Sequence, residues 1–250
     1  MARTFVFAST QYLSNSNTGS LIGNGGDTSV SIWAYPTATD GNFYMATSLR
    51  TSGGGTVYYY ISNHNATWLL AMNNGGTGSL NFGPASVTTN AWTHLGFAFN
   101  ASTSVGYKNG VQADSRTPSA NPSISTPIFY IGYDGTAATW AGRLADCATW
   151  NVLLTASEFA ALANGARPGQ IRPKSLTGWW PVDGLESPEP DLSGNANNAS
   201  LTNAPTIGFG PLMGLFTPRW PMVTPSVTLQ GPGWPTPIQV QIQMALSIVH

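Results

Sequence analysis

The chain has 250 residues, of which 42% are hydrophobic, 11% are aromatic and only 8% are charged, and its net charge is -1. Globular proteins usually carry about 25% charged residues, so the composition argues against charge-driven disorder. A net charge close to zero also provides no basic field to attract nucleic acid or anionic lipid. We therefore expect a packed domain with a neutral coat of Ser, Thr, Asn and Gly, and no nucleic-acid or membrane partner.

The N-terminal residues show no basic segment followed by the apolar run of a signal peptide. No segment approaches the roughly 18 uninterrupted apolar residues of a membrane span. Cys147 is the single cysteine, which excludes an internal disulfide, and its apolar surroundings predict a buried, inert thiol. A polar coat without an export signal predicts a particle that is assembled in a cytoplasm and released by lysis.

Short alternating segments separated by turn residues predict strands throughout the first half of the chain. A tight hairpin is predicted at Asn109-Gly110, the strongest turn signal in the sequence. Strands with turn signals at this spacing are typical of an all-β sandwich. The strands predicted in this way cover residues 28–35, 43–49, 56–62, 67–72, 79–82, 92–100 and 128–133.

Residues 140–165 join a long strand to the one convincing helix. In residues 140–150 both sides of an extended chain are mostly small or apolar, which predicts a central strand covered on both faces. Thr155 and Glu158 have the spacing of a capping box, so a helix is predicted at about 155–164. Phe159, Leu162 and Ala163 form its buried stripe, and Gly165 ends it.

These motifs resemble a known family. The order Gly142-x-Leu-x-Asp146, then Thr155-x-x-Glu158, resembles the last core strand and short helix of the laminin-G-like, concanavalin A-like jelly roll. Further matches lie upstream at Val30-Ser-Ile-Trp33, Trp92-Thr-His94 and Ile131-Gly132-Tyr133, so the resemblance covers roughly residues 4–165. It implies an all-β, two-sheet antiparallel sandwich with one short helix. Such sandwiches include lectins, adhesion modules, glycosidases and virion parts.

Residues 176–203 resemble the segment that normally opens such a domain, with Trp179-Trp180 followed by Asp191-Leu-Ser-Gly194-Asn195. Either the domain is circularly rearranged, with a strand at about 176–182 completing the sheet, or a truncated second copy begins here. Too few residues remain for a second sandwich, so we favour completion and a domain spanning 1–203. This arrangement is similar to that of tailed-phage virion proteins.

Residues 204–250 differ in character and are predicted to form an extended C-terminal arm. Proline recurs at eight positions, which excludes a long helix, yet the segment is too apolar for a solvated linker. Residues 238–242 alternate strictly, and a single strand needs a partner, either the sandwich edge or another molecule. The arm either folds over its own domain or, as we favour, binds copies of the chain or other virion proteins. The candidate assembly residues are Phe209, Leu215, Phe216, Trp220, Trp234, Ile238, Val240 and Ile242.

Candidate catalytic and metal-binding residues are sparse. Glycoside hydrolysis needs two carboxylates facing one cleft, and no strand carries carboxylates at i, i+2 spacing. His64, His94 and His250 lack zinc spacing, and His94 lies inside a predicted strand, which favours a structural role. We expect no cofactor; a structural Ca²⁺ is the alternative, with loop donors among Asp27, Asp134, Asp183 and Asp191.

Aromatic residues near polar loops predict a carbohydrate site, although the same residues could simply pack in the sheets. The candidates are Tyr58, Tyr60, Asn63, Asn65, Trp68, Asn73, Asn74, Tyr133 and Asp134. Taken together, the sequence favours a non-enzymatic structural or decoration protein on the exterior of a virus particle, anchored through the arm and able to contact host glycans. The alternatives are a free carbohydrate-binding module or lectin and, less favoured, a glycoside hydrolase.

Overall fold

The computed structural model describes residues 1–16, 26–51, 57–72, 79–83, 85–118 and 127–211, together with the backbone of two strands at 226–229 and 238–241. The chain divides into two compact units, Met1–Gly214 and Leu215–His250. Each unit is described by itself.

The described part of the first unit is built mainly from strands, joined by short turns. Its one α-helix is α1 (Ala156–Ala163), and 3-10 turns lie at Phe7–Ser9, Pro168–Gln170 and Pro173–Ser175. The strands are β1 (Ala2–Phe5), β2 (Tyr12–Asn15), β3 (Thr28–Pro36), β4 (Phe43–Thr51), β5 (Val57–His64), β6 (Thr67–Met72), β7 (Leu80–Asn81), β8 (Thr93–Phe99), β9 (Ser104–Lys108), β10 (Val111–Arg116), β11 (Pro127–Ile131), β12 (Gly142–Trp150), β13 (Leu176–Trp180), β14 (Ser200–Thr202) and β15 (Thr206–Gly208).

The strands form two sheets that pack face to face. The first sheet has the order β10-β9-β8-β3-β12-β1-β15, with β13 also pairing with β12, and the second has the order β14-β2-β11-β4-β5-β6-β7. The pairings in both sheets are antiparallel. Large side chains from both sheets fill the space between them, among them Trp68, Trp140 and Trp180. The predicted two-sheet antiparallel sandwich is confirmed.

Strand β12 lies inside the first sheet, between β3 on one side and β1 and β13 on the other, so it is the central strand that the sequence predicts. Its side chains do not alternate strictly, however, because a bulge lies between Ala145 and Ala148 and Asp146 has a φ of 43°. Leu144 and Cys147 consequently face the sandwich core, whereas Ala148 faces the helix side. A regular extended strand would place Leu144, Asp146 and Ala148 on one side, and this interpretation is wrong beyond Leu144 because of the bulge. The Cys147 thiol is buried, as predicted, and burial raises its pKa.

Helix α1 begins and ends where the sequence predicts. Glu158 donates its backbone N–H to the Thr155 hydroxyl, and the Glu158 carboxylate accepts the Thr155 N–H at 2.7 Å, which completes the capping box. Phe159 and Leu162 are buried, and the Phe159 ring stacks on Tyr107 of the first sheet at 4.4 Å. Ala163 is only half-buried. The helix thus covers the face of the first sheet that points away from the sandwich core.

The segment after the helix contributes a strand to both sheets. Strand β13 pairs with β12, β14 pairs with β2, and β15 pairs with β1. Because β15 lies beyond the expected boundary at residue 203, the compact unit extends to Gly214. Phe209, which we had assigned to the arm, belongs to this first unit and is 84% exposed.

The second unit contains two described strands, β16 (Ser226–Leu229) and β17 (Ile238–Gln241), which pair antiparallel. Val227 pairs with Val240, and Leu229 pairs with Ile238. The strand at 238–241 is therefore not a single strand as expected, because β16 pairs with one of its edges, and pairing with the sandwich edge or another molecule stays a prediction. The other predicted assembly residues of this unit, Leu215, Phe216, Trp220, Trp234 and Ile242, lie outside the described residues.

Within the described ranges, no helix combines the length and the apolar character needed to cross a bilayer.

Candidate functional site

The outer face of the second sheet carries a row of polar and aromatic residues. The strand register aligns Ser200, Ser14, Tyr130, Ser48 and Tyr60 across β14, β2, β11, β4 and β5. Neighbours of these residues along each strand, such as Leu13, Phe129 and Leu49, face the core. Because successive strand residues point to opposite faces, the aligned row points away from the core.

Three tyrosines pack together on this face, and we call them the tyrosine cluster. Tyr12 and Tyr133 stack with ring centroids 4.5 Å apart and planes only 12° from parallel. Tyr130 meets both rings edge on, at 5.7 Å from Tyr12 and 5.5 Å from Tyr133. Partial burial raises the pKa of Tyr130 and Tyr133, so both hydroxyls are protonated at neutral pH. The cluster is a rigid aromatic surface with polar tips.

Two pockets open on the same face. The first, the polar pocket, has a volume of about 450 Å³ and is lined by Tyr12, Ser14, Asn15, Ser16, Ile128, Tyr130, Ala196, Asn198 and Ser200. The second, the apolar pocket, has a volume of about 280 Å³ and is lined by Phe43, Met45, Ser48, Arg50, Val57, Tyr60, Asp134, Ala137 and Ala138. Tyr130 of the polar pocket pairs directly with Ser48 of the apolar pocket, so the two pockets are neighbours.

Asp134 organises the loop that forms one wall of the apolar pocket. Its Oδ1 accepts the backbone N–H groups of Thr136, Ala137 and Ala138 at 2.7, 2.8 and 3.0 Å. Arg50 is 7% exposed, donates to the Asp134 carbonyl, and lies 3.6 Å from the Asp134 carboxylate. The carboxylate therefore serves the loop itself, which leaves it little capacity to bind a ligand directly.

The structure places three predicted site residues in the core, which corrects the sequence interpretation. Tyr58, Asn63 and Trp68 are at most 1% exposed. Trp68 stacks on Trp140, and Asn63 donates to the Ala38 carbonyl at 2.7 Å. Tyr58 faces inward because a register shift between β4 and β5 turns it to the same side as its neighbour. None of the three side chains can present a surface to a ligand.

The remaining predicted site residues divide into three groups. Tyr60 and Asp134 line the apolar pocket, and Tyr133 belongs to the tyrosine cluster, so these three come together. Asn65 is exposed at the turn after β5 and is not among the described residues that line either pocket. Asn73 and Asn74 lie outside the described residues.

Sequence reasoning missed several residues of this face, chiefly Tyr12, Tyr130, Arg50 and Phe43. A signal for some of them was present, since Tyr12, Ser14 and Ser16 occupy alternate positions and share one strand face. The sequence does not show that β2 and β11 are neighbours, however, and this pairing is what brings Tyr12 to Tyr130.

The four aspartates considered for calcium do not meet in the described structure. Asp134 caps its own loop, Asp191 accepts the N–H groups of Trp179 and Ser193, and Asp183 accepts that of Leu185. Asp27 accepts from the Asn100 amide. Within the described ranges no group of three or more His, Cys, Asp or Glu residues could hold a metal ion.

His94 has the character of a structural histidine. Its ring is 1% exposed, its Nε2 lies 2.8 Å from the Ser31 hydroxyl, and burial lowers its pKa to about 3. The imidazole is therefore neutral at physiological pH and is held within the first sheet.

The two antiparallel sheets, with one helix packed on the first of them, match a known family. The model of a laminin G family, described as the Concanavalin A-like lectin/glucanases superfamily, matches residues 7–160. The match spans more than half of the chain, so the chain belongs to this family.

Solved structures support the same fold. A native heptameric SAP-like pentraxin from Limulus polyphemus superposes with a TM-score of 0.59 at 14% identity, covering 86% of this chain and 95% of the pentraxin. A putative carbohydrate binding protein from Bacteroides ovatus superposes with a TM-score of 0.57 at 14% identity, covering 80% of this chain and 57% of that protein. No curated protein matches the chain. At these identities the likeness defines the fold alone.

Proposed function

We propose that this chain is a non-enzymatic carbohydrate-binding sandwich that binds saccharides on the outer face of its second sheet. One observation carries the proposal: a row of tyrosines and serines crosses five strands of that face and lines two adjoining pockets.

The chemistry of the face suits a saccharide. Sugar rings have apolar C–H faces that pack on aromatic rings, and the tyrosine cluster offers such rings with their hydroxyls at the edge. Ser14, Asn198 and Ser200 of the polar pocket add short hydroxyl and amide groups that donate and accept hydrogen bonds. Pockets that combine apolar walls with a few placed polar groups are typical small-ligand sites.

The carboxylates of this face favour binding without hydrolysis. Retaining and inverting glycosidases use two carboxyl groups, about 5 to 9.5 Å apart, on opposite sides of the scissile bond. Among the described residues that line the two pockets, Asp134 supplies the single carboxylate. That carboxylate is occupied by three backbone N–H groups, so it is poorly placed to act as an acid or a nucleophile.

Replacing Tyr130 with Ala is expected to weaken saccharide binding by about tenfold or more, because it removes a ring that belongs to both the tyrosine cluster and the polar pocket. The ligand is first found on a glycan array, and affinities are then measured by titration calorimetry. Tyr35→Ala is the matched control, since Tyr35 lies in β3 of the first sheet beside Trp92. Equal losses in both variants, or an unchanged affinity in Tyr130→Ala, would contradict the proposal.

We propose a second, compatible role in assembly, as a structural or decorating component on the exterior of a virus particle. One observation favours it: residues 215–250 form a unit of their own in which two short strands pair as a ribbon. An isolated two-stranded ribbon is marginally stable in water, so contact with another copy or another protein would stabilise it. The virion location and the identity of that partner remain part of this proposal.

Truncation after Gly214 is expected to convert a defined oligomer of the full chain into a folded monomer that still binds saccharide. The cut follows the structural boundary and keeps β15 paired with β1. Light scattering gives the mass of both chains, and circular dichroism checks the fold of the shorter one. Two monomers of equal stability would remove the support for assembly and leave saccharide binding untouched.

A further inference from the structure

The apolar pocket differs chemically from the rest of the saccharide face. Its walls are formed largely by hydrocarbon side chains from β4, β5 and the loop ordered by Asp134: Phe43, Met45, Val57, Ala137 and Ala138. The Phe43 ring is 41% exposed and stacks on His64 at 3.9 Å, so it stands as a fixed rim of the pocket. The volume of about 280 Å³ is at the lower end of the range for small-ligand sites and suits one sugar residue or a part of it.

Most polar groups that reach this pocket already have partners. The Ser48 hydroxyl donates to the Tyr133 carbonyl at 2.9 Å, and Arg50 donates to the Asp134 carbonyl. The Asp134 carboxylate accepts three N–H groups of its loop. Within the described residues, the Tyr60 hydroxyl has no hydrogen-bond partner and is free to bind a ligand.

This distribution of polar groups makes the apolar pocket unfavourable for sugar hydroxyls. A sugar hydroxyl that leaves water for this pocket meets mainly hydrocarbon walls, with the Tyr60 hydroxyl as its readiest partner, and a further hydroxyl left unpaired there costs about tenfold or more in affinity. A methyl group in the same place needs no partner and gains by removing apolar surface from water. An acetamido group would bring a donor and an acceptor together, and both would need partners among mainly apolar walls.

We propose that the apolar pocket receives the methyl group of a 6-deoxyhexose residue, with the Tyr60 hydroxyl bonding one ring hydroxyl and the rest of the saccharide lying over the tyrosine cluster. The inference rests on the proposed saccharide-binding function and adds the substrate class. The specificity then comes from Phe43, Met45 and Val57, whereas the tyrosine cluster contributes affinity common to many saccharides.

The test compares pairs of methyl glycosides that differ only at carbon 6: L-fucoside against L-galactoside, and L-rhamnoside against L-mannoside. Affinities for the full chain are measured by NMR titration. The 6-deoxy member of at least one pair is expected to bind about tenfold or more tightly than its 6-hydroxy counterpart. Val57→Thr adds a hydroxyl to the pocket at nearly constant volume and is expected to lower the ratio of the 6-deoxy affinity to the 6-hydroxy affinity. Val111→Thr, at a position of β10 that is 70% exposed, is the control that leaves the ratio unchanged.

The outcomes separate the two proposals. Equal binding within both pairs, or a ratio that Val57→Thr does not change, overturns the 6-deoxyhexose assignment while saccharide binding stands through the Tyr130→Ala result. Tighter binding of N-acetylhexosamine glycosides than of both pairs also overturns it, because an acetamido methyl would then occupy the pocket. Absence of binding to these glycosides and to every glycan on an array defeats the saccharide-binding function itself.

Discussion

Replacing Arg3 with Met is expected to lower the free energy of unfolding by about 3–5 kcal/mol, because it leaves a buried carboxylate without its cation. Arg3 lies in β1 and is 3% exposed, and its Nε donates to Glu189 at 2.7 Å. Glu189 is fully buried. The pair joins the first strand of the sandwich to a loop near the end of the first unit, so its loss loosens the closure of the domain.

The same guanidinium also donates to two backbone carbonyls. A Met side chain has no donor with which to replace these hydrogen bonds. Its Nη1 donates to the Pro205 carbonyl at 3.2 Å, and its Nη2 donates to the Glu186 carbonyl. Glu189 in turn accepts the Asp183 N–H at 3.0 Å, which fixes the other end of the loop. Each buried group left without a partner adds to the cost of the substitution.

Urea denaturation of the original chain and of the variants measures the free energy of unfolding. Arg172→Met is the matched control, since Arg172 also pairs with a glutamate, Glu158, but its side chain is 46% exposed. An exposed pair contributes about 0–1 kcal/mol, so the control should lose little. If the two variants lost the same free energy of unfolding, the Arg3–Glu189 pair would not be the buried ion pair that the structure describes.

Elements defined by neighbours in sequence could be predicted, and elements defined by distant contacts could not. The Thr155 and Glu158 capping box needs only residues three apart, and helix α1 forms as expected. The alternating strands and their turns likewise predict a sandwich, because the pleat itself sets their period. The strand at Leu176–Trp180 was expected from family resemblance, and it pairs with β12.

The candidate site was harder to predict from the sequence, because it depends on which strands are neighbours and on which face each strand buries. Trp68 and Tyr60 looked alike as aromatic residues in strands, yet Trp68 is core and Tyr60 lines a pocket. The tyrosine cluster depends on the pairing of β2 with β11, and their residues are more than 100 positions apart. A single bulge at Asp146 reverses the faces of β12 without any sequence signal that we recognised.

Gly142→Ala is expected to cost more than about 4 kcal/mol in unfolding free energy, or to prevent folding, because the backbone of another strand occupies the space of the new methyl group. A Cβ at Gly142 would lie 2.0 Å from the Tyr35 carbonyl oxygen, and its φ of 128° is one that other residues rarely adopt. Gly142 pairs with Phe5 on one side and with Pro36 on the other, so β12 cannot move away from Tyr35 without separating from β1 or β3. A glycine within a strand often marks such a close backbone approach.

Gly194→Ala separates the cost of the steric clash from the cost of the unfavourable φ. Gly194 also has a left-handed φ, of 91°, but a Cβ there would meet no atom within 4 Å. Its substitution should therefore cost only the left-handed backbone penalty, about 1–2 kcal/mol. Urea midpoints of the two soluble variants, or the soluble yield where Gly142→Ala fails to fold, give the comparison. Equal and small losses would mean that β12 and β3 do not approach as closely as their register requires, and the central position of β12 in the first sheet would have to be given up.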